Sequence, residues 1–483
     1  MKKLSYTKQI AIAVMGYLSS FVACAEENER PNIVLILADD LGYNDVGFTG
    51  ETEIQTPNID QLASDGIIFK NGYVTHPYCG PSRAGLLTGR YQARFGMENN
   101  VSYAPDDKYM GLPVTETTFP KRLQVAGYET AVFGKWHLGG APHFQPNNRG
   151  FDYFYGFLDG GHNYMPGEAT VGGGGYLLPL MRNKGVAEFD EYLTTALSND
   201  AARYIQQTSD KPFFMYMSYN APHAPLQAPQ SYIDKYSHIE NKQRRIYAAM
   251  VDAMDDGIGT LINALKEAGK FDNTLIFFLS DNGGVYPEEW LPTFSWADNT
   301  PFRRGKVALL EGGVHVPFIA HWPNKIKRGQ TFEGLVSSLD IAATSVALAG
   351  ARNGDLDGVD LVPYVTGQKR GSPHHALFWR LEEAANIYAV RTMDAKYMRQ
   401  PLPNVGRSYF DMLADPYETE NLVDQYPEKQ AYLAELWNEW NSKNVNSVLY
   451  QSWEYKKAVS DFYETLHQKN VREAKQTPTY KIE

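Results

Sequence analysis

The run Pro31-Asn-Ile-Val-Leu-Ile-Leu-Ala-Asp-Asp-Leu-Gly42 holds five consecutive apolar residues, Ile33 to Leu37, and closes on two carboxylates and a glycine. A strand covered on both faces loses the apolar/polar alternation of a surface strand, so this run predicts a central strand of a parallel sheet. Asn273-Thr-Leu-Ile-Phe-Phe-Leu-Ser-Asp-Asn-Gly-Gly284 repeats the pattern, with Leu275 to Leu279 followed by Asp281 and Asn282. Two more apolar runs end in bases: one from Glu129 leads to Lys135 and His137, the other from Pro212 to His223. Between them, Thr56-Pro57 opens a helix that stops before Gly66, and Thr118 caps another that ends at Gly127. Ile246, Met250, Met254, Ile258, Ile262 and Leu265 recur at helical spacing up to a stop at Gly269, although Gly257 and Gly259 argue against one straight piece. Strands alternating with helices predict an α/β fold with a mostly parallel central sheet.

Open sheets of this kind place their sites at the carboxyl ends of the strands, where these polar residues gather. Asp39 and Asp40 repel each other unless a cation holds them. With Asp281 and Asn282 they form a set of hard oxygen donors that suits Ca²⁺ or Mg²⁺ rather than zinc. Lys135 and His137 lie two apart and share a face in an extended segment. Arg303-Arg-Gly-Lys306, followed by Glu311-Gly-Gly313, adds a basic loop. One by one, the histidines read as satisfied structural groups and the lysines as solvated. Their recurrence at strand ends points to chemistry instead.

Tyr78-Cys-Gly-Pro-Ser-Arg-Ala-Gly-Leu-Leu-Thr-Gly-Arg-Tyr91 sets Cys79 at the mouth of a Pro-started helix, with Arg83 one turn further on. Free N–H donors and the positive dipole end meet there, so negative charge forming at position 79 is stabilised. Cys79 alone would read as a buried structural thiol. In context, Cys79, Pro81, Ser82, Arg83, Leu87, Thr88, Gly89 and Arg90 resemble the type I sulfatase signature without a gap.

That resemblance implies an alkaline-phosphatase-like fold and a Cys79 converted to formylglycine (3-oxoalanine) by a formylglycine-generating or sulfatase-maturating enzyme. It implies Ca²⁺, with Mg²⁺ possible, on Asp39, Asp40, Asp281, Asn282 and the hydrated side chain at 79. One diol hydroxyl at 79 then attacks sulfur, with Asp281 accepting its proton. His223 protonates the leaving oxygen with Lys306 close by, and Lys135, Lys306 and Arg83 neutralise the sulfate oxygens. His137 takes the proton of the second hydroxyl so that sulfate is released. His315 departs from the pattern, since many relatives carry arginine there.

The 483 residues, 43% of them hydrophobic, are enough for one large domain and a smaller one. A net charge of −11 argues against a nucleic-acid partner, so an anionic substrate must be held by local charge. Three lysines in Met1 to Lys8, an apolar run from Ile10 to Val22 and Ala23-Cys24-Ala25 predict a signal peptide over 1–25, too short for a membrane span. The expectation is export to the periplasm with no remaining transmembrane segment; an outer-membrane lipoprotein acylated on Cys24, or secretion, is the alternative. The mature chain would keep Cys79 alone and form no internal disulfide.

Residues 26–360 read as the catalytic domain and 361–483 as a C-terminal subdomain of antiparallel sheet plus helix. Strand-like runs at Ala376 to Arg380 and Tyr388 to Arg391 precede an Asp-Pro turn and a helix marked by Leu433, Leu436 and Trp440. Gly150 to Tyr164 is dense in aromatics, Gly172 to Gly175 reads as a flexible run, and 32 tyrosines lean towards a carbohydrate ligand, with His162 a candidate contact. General likeness to galactose and N-acetylgalactosamine sulfatases implies a sulfated carbohydrate, either a galactan such as carrageenan or a galactosamine glycan. Two other readings use the same residues: a phosphonate or phosphodiester hydrolase, and an inactive glycan-binding protein with Cys79 unmodified.

Overall fold

A computed structural model of the chain describes residues 30–50, 53–166, 180–286, 296–382, 387–400 and 406–449, together with six residues between 464 and 472. The leader with Cys24 and the glycine run 172–175 lie outside them. Among the described residues the large sheet is built from β1 (Asn32–Ala38), β2 (Ile67–Tyr73), β3 (Glu129–Lys135), β4 (Tyr153–Phe157), β5 (Leu180–Arg182), β6 (Gly185–Ala187), β7 (Phe213–Ser218), β8 (Thr274–Ser280), β9 (Phe318–His321) and β10 (Gln330–Ser337). Their order is β10-β2-β9-β8-β1-β7-β3-β4-β5-β6. The five central strands β8, β1, β7, β3 and β4 all run parallel, so their carboxyl ends share one edge. β9 is antiparallel to both neighbours, and β5 and β6 form an antiparallel margin.

β1 shows why the apolar run sits in the middle. Ile33, Leu35 and Leu37 enter one core layer, while Val34, Ile36 and Ala38 enter the other. A residue of either set left facing water would forfeit the roughly 1.5–3 kcal/mol that burial of a large aliphatic side chain contributes. The first layer is closed by helices Cys79–Thr88, Phe119–Val125 and Leu339–Leu348, the second by Pro57–Asp65, Leu193–Gln207 and Lys242–Glu267. Thr118 caps its helix by accepting the Lys121 N–H at 3.4 Å.

Lys242–Glu267 runs uninterrupted for 26 residues through both glycines. Those glycines serve packing: a Cβ at 257 would run into Ser198 Oγ and stand 2.8 Å from the Tyr219 hydroxyl, and one at 259 would stand 2.7 Å from Asn58 Oδ1. Gly257→Ala is therefore expected to destabilise the protein by about 1–3 kcal/mol through overpacking, although alanine is the better helix former. Urea unfolding checks this; an unchanged or higher midpoint would show that the two helices can part freely.

A separate sheet follows, with β11 (Leu377–Glu382), β12 (Ile387–Arg391), β13 (Ala395–Gln400) and β14 (Gly406–Asp411) antiparallel in sequence order. Helix Pro427–Asn441 lies on it, stacking Trp437 on Tyr388 at 4.1 Å and Trp440 on Phe378 at 5.1 Å. No helix among the described residues is long and apolar enough to cross a membrane.

Candidate active site

β1 and β8 pair in register, with Ala38 opposite Ser280, so the residues that follow emerge side by side. Asp281 N–H donates to the Ala38 carbonyl at 3.0 Å, and Asp39 N–H donates to Ala221 at 3.0 Å. Asp40 adopts a left-handed backbone (φ 65°), a conformation that costs energy in a residue with a Cβ. It turns its N–H onto Asp281 Oδ1 at 3.2 Å, and Asn282 Nδ2 donates to Asp40 Oδ1 at 2.7 Å.

Helix Cys79–Thr88 is buried throughout and opens at these carboxylates. The Cys79 thiol donates to Asp39 Oδ1 at 3.5 Å and lies 3.9 Å from Asp40 Oδ1. One potential ligand atom from each of Asp39, Asp40, Cys79 and Asp281 lies within 4.8 Å of all the others. Arg83, expected on a sulfate oxygen, is committed elsewhere. Its guanidinium is fully buried, donates to Asp281 Oδ2 through Nε at 2.9 Å with Nη2 2.8 Å from the same oxygen, and donates to Ser218 Oγ at 2.6 Å.

The other predicted bases converge on the same point. Lys135 Nζ is 2.6 Å from Asp39 Oδ2, and Lys306 Nζ reaches an Asp40 carboxylate oxygen at 2.7 Å and Cys79 Sγ at 3.3 Å. His223 donates from Nδ1 to the Ala224 carbonyl at 2.6 Å, since a carbonyl only accepts. That leaves Nε2 as the acceptor nitrogen, 3.6 Å from Asp40. His137, left-handed at φ 57°, is packed under Gly160, where a Cβ would stand 2.8 Å from Nε2. His162 instead lays its ring against Phe157 and Phe189, at 5.2 and 5.8 Å. His315 bonds Glu311 at 2.9 Å and stacks on Phe302 at 4.3 Å.

Three carboxylates thus face three fixed cations in a buried space. Burial pushes the Cys79 thiol well up, and Lys135 and Lys306 do not bring it back, so it is a protonated and poor nucleophile. Burial raises Asp40 too, but Lys306 and Lys135 outweigh it and hold this carboxyl well below its usual range. Burial, with the charge on Asp39, lifts Asp281 to about 6 against the pull of Arg83. Burial, together with Lys135 and Lys306, pushes His223 down to about 3, and burial with Lys135 and Arg83 likewise depresses His137. Both imidazoles are neutral at neutral pH.

The donor set fits a divalent cation. Asn282 Oδ1 is buried without a hydrogen-bond partner, which costs about 1–3 kcal/mol unless something coordinates it. Beside Asp39, Asp40 and Asp281 it completes a group of hard oxygens of the kind Ca²⁺ and Mg²⁺ take.

Sequence reading missed the residues that hold this arrangement from behind. Ser218 accepts from Arg83 and donates to the Lys135 carbonyl at 2.7 Å; its place at the end of β7 was the available signal. Asn100 Oδ1 accepts the Gly80 N–H at 2.9 Å, fixing the helix start. The Tyr247 hydroxyl accepts the Gly42 N–H at 3.1 Å and donates to buried Asp45 at 2.7 Å, bracing the turn after Asp40. Neither Asn100 nor Tyr247 carries a local signal, because each acts on a segment distant in the chain.

Residues 31–351 match the family described as Sulfatase, and residues 304–446 match N-sulphoglucosamine sulphohydrolase, C-terminal. Human N-acetylgalactosamine-6-sulfatase is 35% identical over 354 residues, a match that spans 69% of this chain and 66% of that protein, just under two thirds of its length. Human arylsulfatase A is 37% identical over 411 residues, spanning 80% of this chain and 77% of that one. The crystal structure of Ps i-CgsB in complex with k-i-k-neocarrahexaose superposes with a TM-score of 0.81 at 36% identity, covering 89% of this chain and 96% of its own. Phosphonate monoester hydrolase of Agrobacterium radiobacter, at 21% identity and a TM-score of 0.63, shares the fold alone. The first match takes in every group assembled around Cys79, from Asp39 to Lys306, and on that extent the chain belongs to the sulfatase family.

Proposed function

We propose that the protein hydrolyses sulfate esters on a sulfated carbohydrate, a galactan of the carrageenan kind, with Cys79 converted to formylglycine and Ca²⁺ held by Asp39, Asp40, Asp281 and Asn282. One observation carries the reading: residue 79 sits between a cage of hard oxygens and Lys306 Nζ, 3.3 Å from its sulfur. The galactan preference is supported by likeness to a structure in complex with k-i-k-neocarrahexaose.

Cys79 is 1% exposed, so a maturating enzyme has to reach it before the fold closes. When present, the hydrated aldehyde supplies two hydroxyls on one carbon, one to attack sulfur and one to expel sulfate afterwards, and the cation supplies charge against the sulfate oxygens. The chain's own residues do the rest. Lys135 and Lys306 stand ready beside Asp39 and Asp40 to share their charge with an incoming sulfate. Asp281, a carboxylate within ligand distance of residue 79, is placed to accept a proton from it. His223 keeps Nε2 unprotonated at rest; the negative charge of a bound sulfate ester favours its protonated form, which then donates to the leaving oxygen. His137, held neutral by burial and by Lys135 and Arg83, accepts the last proton. Arg83 acts through Asp281 and Asp39 rather than on the ester.

The test uses the purified mature protein. Mass spectrometry of the peptide spanning 79–90 is expected to show the aldehyde, and a carrageenan oligosaccharide is expected to release sulfate, with chelation stopping release and Ca²⁺ restoring it. Matched aryl sulfate and aryl phosphate esters are compared alongside. An intact thiol with no turnover would point to a glycan-binding protein, and a preference for phosphate would sink the sulfatase assignment. Export with cleavage after Ala25 belongs to the same proposal and is checked by the mature N-terminal sequence.

A further inference from the structure

Lys306 sits on residues 303–310, a segment with no strand or helix of its own. Two of its residues, Arg304 (φ 62°) and Val307 (φ 82°), are left-handed, and for a β-branched residue such as Val307 this is an outlier. Each such residue costs on the order of 1–3 kcal/mol and persists only when its surroundings dictate it. Part of what dictates it is the turn that follows, Glu311–Val314. Gly312 N–H donates to the Arg303 carbonyl at 3.1 Å, and the Cβ positions of Gly312 and Gly313 are filled by carbonyl oxygens of the segment. The segment is wrapped on the turn on one side, and on the other Lys306 N–H donates to the Gly284 carbonyl and Val307 N–H to the Pro77 carbonyl, each at 3.0 Å.

The turn accepts Val74 N–H and Gly283 N–H on its Val314 and Gly313 carbonyls, each at 3.0 Å, and its side-chain anchor is one carboxylate. Glu311, 1% exposed, accepts from Tyr73 at 2.7 Å and from His315 and Lys396 at 2.9 Å each, while its own N–H donates to Glu418 Oε2 at 2.7 Å. Lys396 Nζ, fully buried on β13, also meets Glu418 Oε1 at 2.7 Å and so clamps the two carboxylates together. Glu418 closes the ring by accepting from Arg303 through its carbonyl. Lys396 and Glu418 come from the small sheet and the loop after it, whereas Lys306 works at the edge of the large one.

We propose that Lys396 is a positioning residue for Lys306: through Glu311 and Glu418 the small sheet sets the distance of the Lys306 ammonium from Asp40 and residue 79. A buried ion cluster is weak evidence for stability, because desolvation consumes most of what the pairing contributes. Its directional contacts instead lock one arrangement of a strained segment. The proposal rests on the sulfate-ester reading only for the step that Lys306 serves.

The experiment compares Lys396→Met with a charge-compensated variant, Lys396→Met with Glu418→Gln, each alone and combined with Lys306→Ala. In the compensated variant, kcat/KM for a sulfate ester and affinity for inorganic sulfate by calorimetry are both expected to fall, the former by about 10- to 100-fold, the scale of an ångström-sized misplacement. Ca²⁺ affinity and unfolding temperature are expected to hold. The deciding readout is non-additivity: once Lys306 is alanine, the Lys396 change is expected to cost nothing further. Equal losses in both backgrounds, unchanged kcat/KM and sulfate affinity, or a compensated variant that fails to fold would each overturn the proposal. If the wild type itself turned over no sulfate ester, the functional reading would fail, while the sulfate-affinity arm would still decide the positioning claim.

Discussion

Cys79→Ser is expected to give a protein that takes up one sulfo group per chain and then stops. A serine oxygen at this position would occupy the place of Sγ, 3.5 Å from Asp39 and 3.3 Å from Lys306 Nζ, so the charges that assist attack on sulfur remain in place. It lacks the second hydroxyl on the same carbon. The ester it forms has no internal route to collapse, and His137 has no proton to remove. Steady turnover is expected to fall by roughly a thousandfold or more, the scale of losing a covalent catalyst's essential group. Intact-mass analysis after incubation with a sulfate ester checks this, with Cys79→Ala as the control that neither reacts nor traps. Sustained turnover by the serine variant would refute the formylglycine scheme.

Arg83→Met is expected to be the most destabilising single change at the site. The guanidinium is fully buried and holds Asp281 through one hydrogen bond and a close ion pair while standing 3.6 Å from Asp39. Removing one partner of a buried ion pair leaves an uncompensated charge, which costs about 3–5 kcal/mol, more than the pair itself contributes. Ser218 loses its donor as well. The deficit is expected to be largest in chelator and to shrink when Ca²⁺ is added, because a cation on Asp39 and Asp281 takes over part of the lost charge. Urea unfolding with EDTA and with Ca²⁺ measures both. A loss below about 1 kcal/mol in EDTA, the scale of an exposed pair, would mean that Arg83 does not carry the charge balance of these carboxylates.

The contrast between these two residues shows where local pattern ends. Both belong to the same 14-residue stretch and both reach the oxygen cage, Cys79 through its thiol and Arg83 through its guanidinium. Arg83 turns to Asp281, 198 residues away, because parallel pairing of β1 and β8 brings that carboxylate under the helix. Helix propensity likewise gives no reason for Gly257 and Gly259, where close approach of Ser198, Tyr219 and Asn58 outweighs the backbone cost. His315, the departure from the family pattern, is tied to Glu311 in the layer behind Lys306.

The chain by itself determined the central strands and what stands at their ends. A strand buried on both faces has to be apolar throughout, and the first polar residues after it have to fall at the sheet's edge, so Asp39, Asp40, Asp281, Asn282 and Lys135 could be placed from pattern alone. Tertiary structure alone decided which charge meets which: Lys306 with Asp40, 266 residues earlier, and Lys396 of the small sheet with Glu311. Such pairings depend on the crossing of elements remote in sequence, and a side chain carries no local mark of the partner that folding will bring to it.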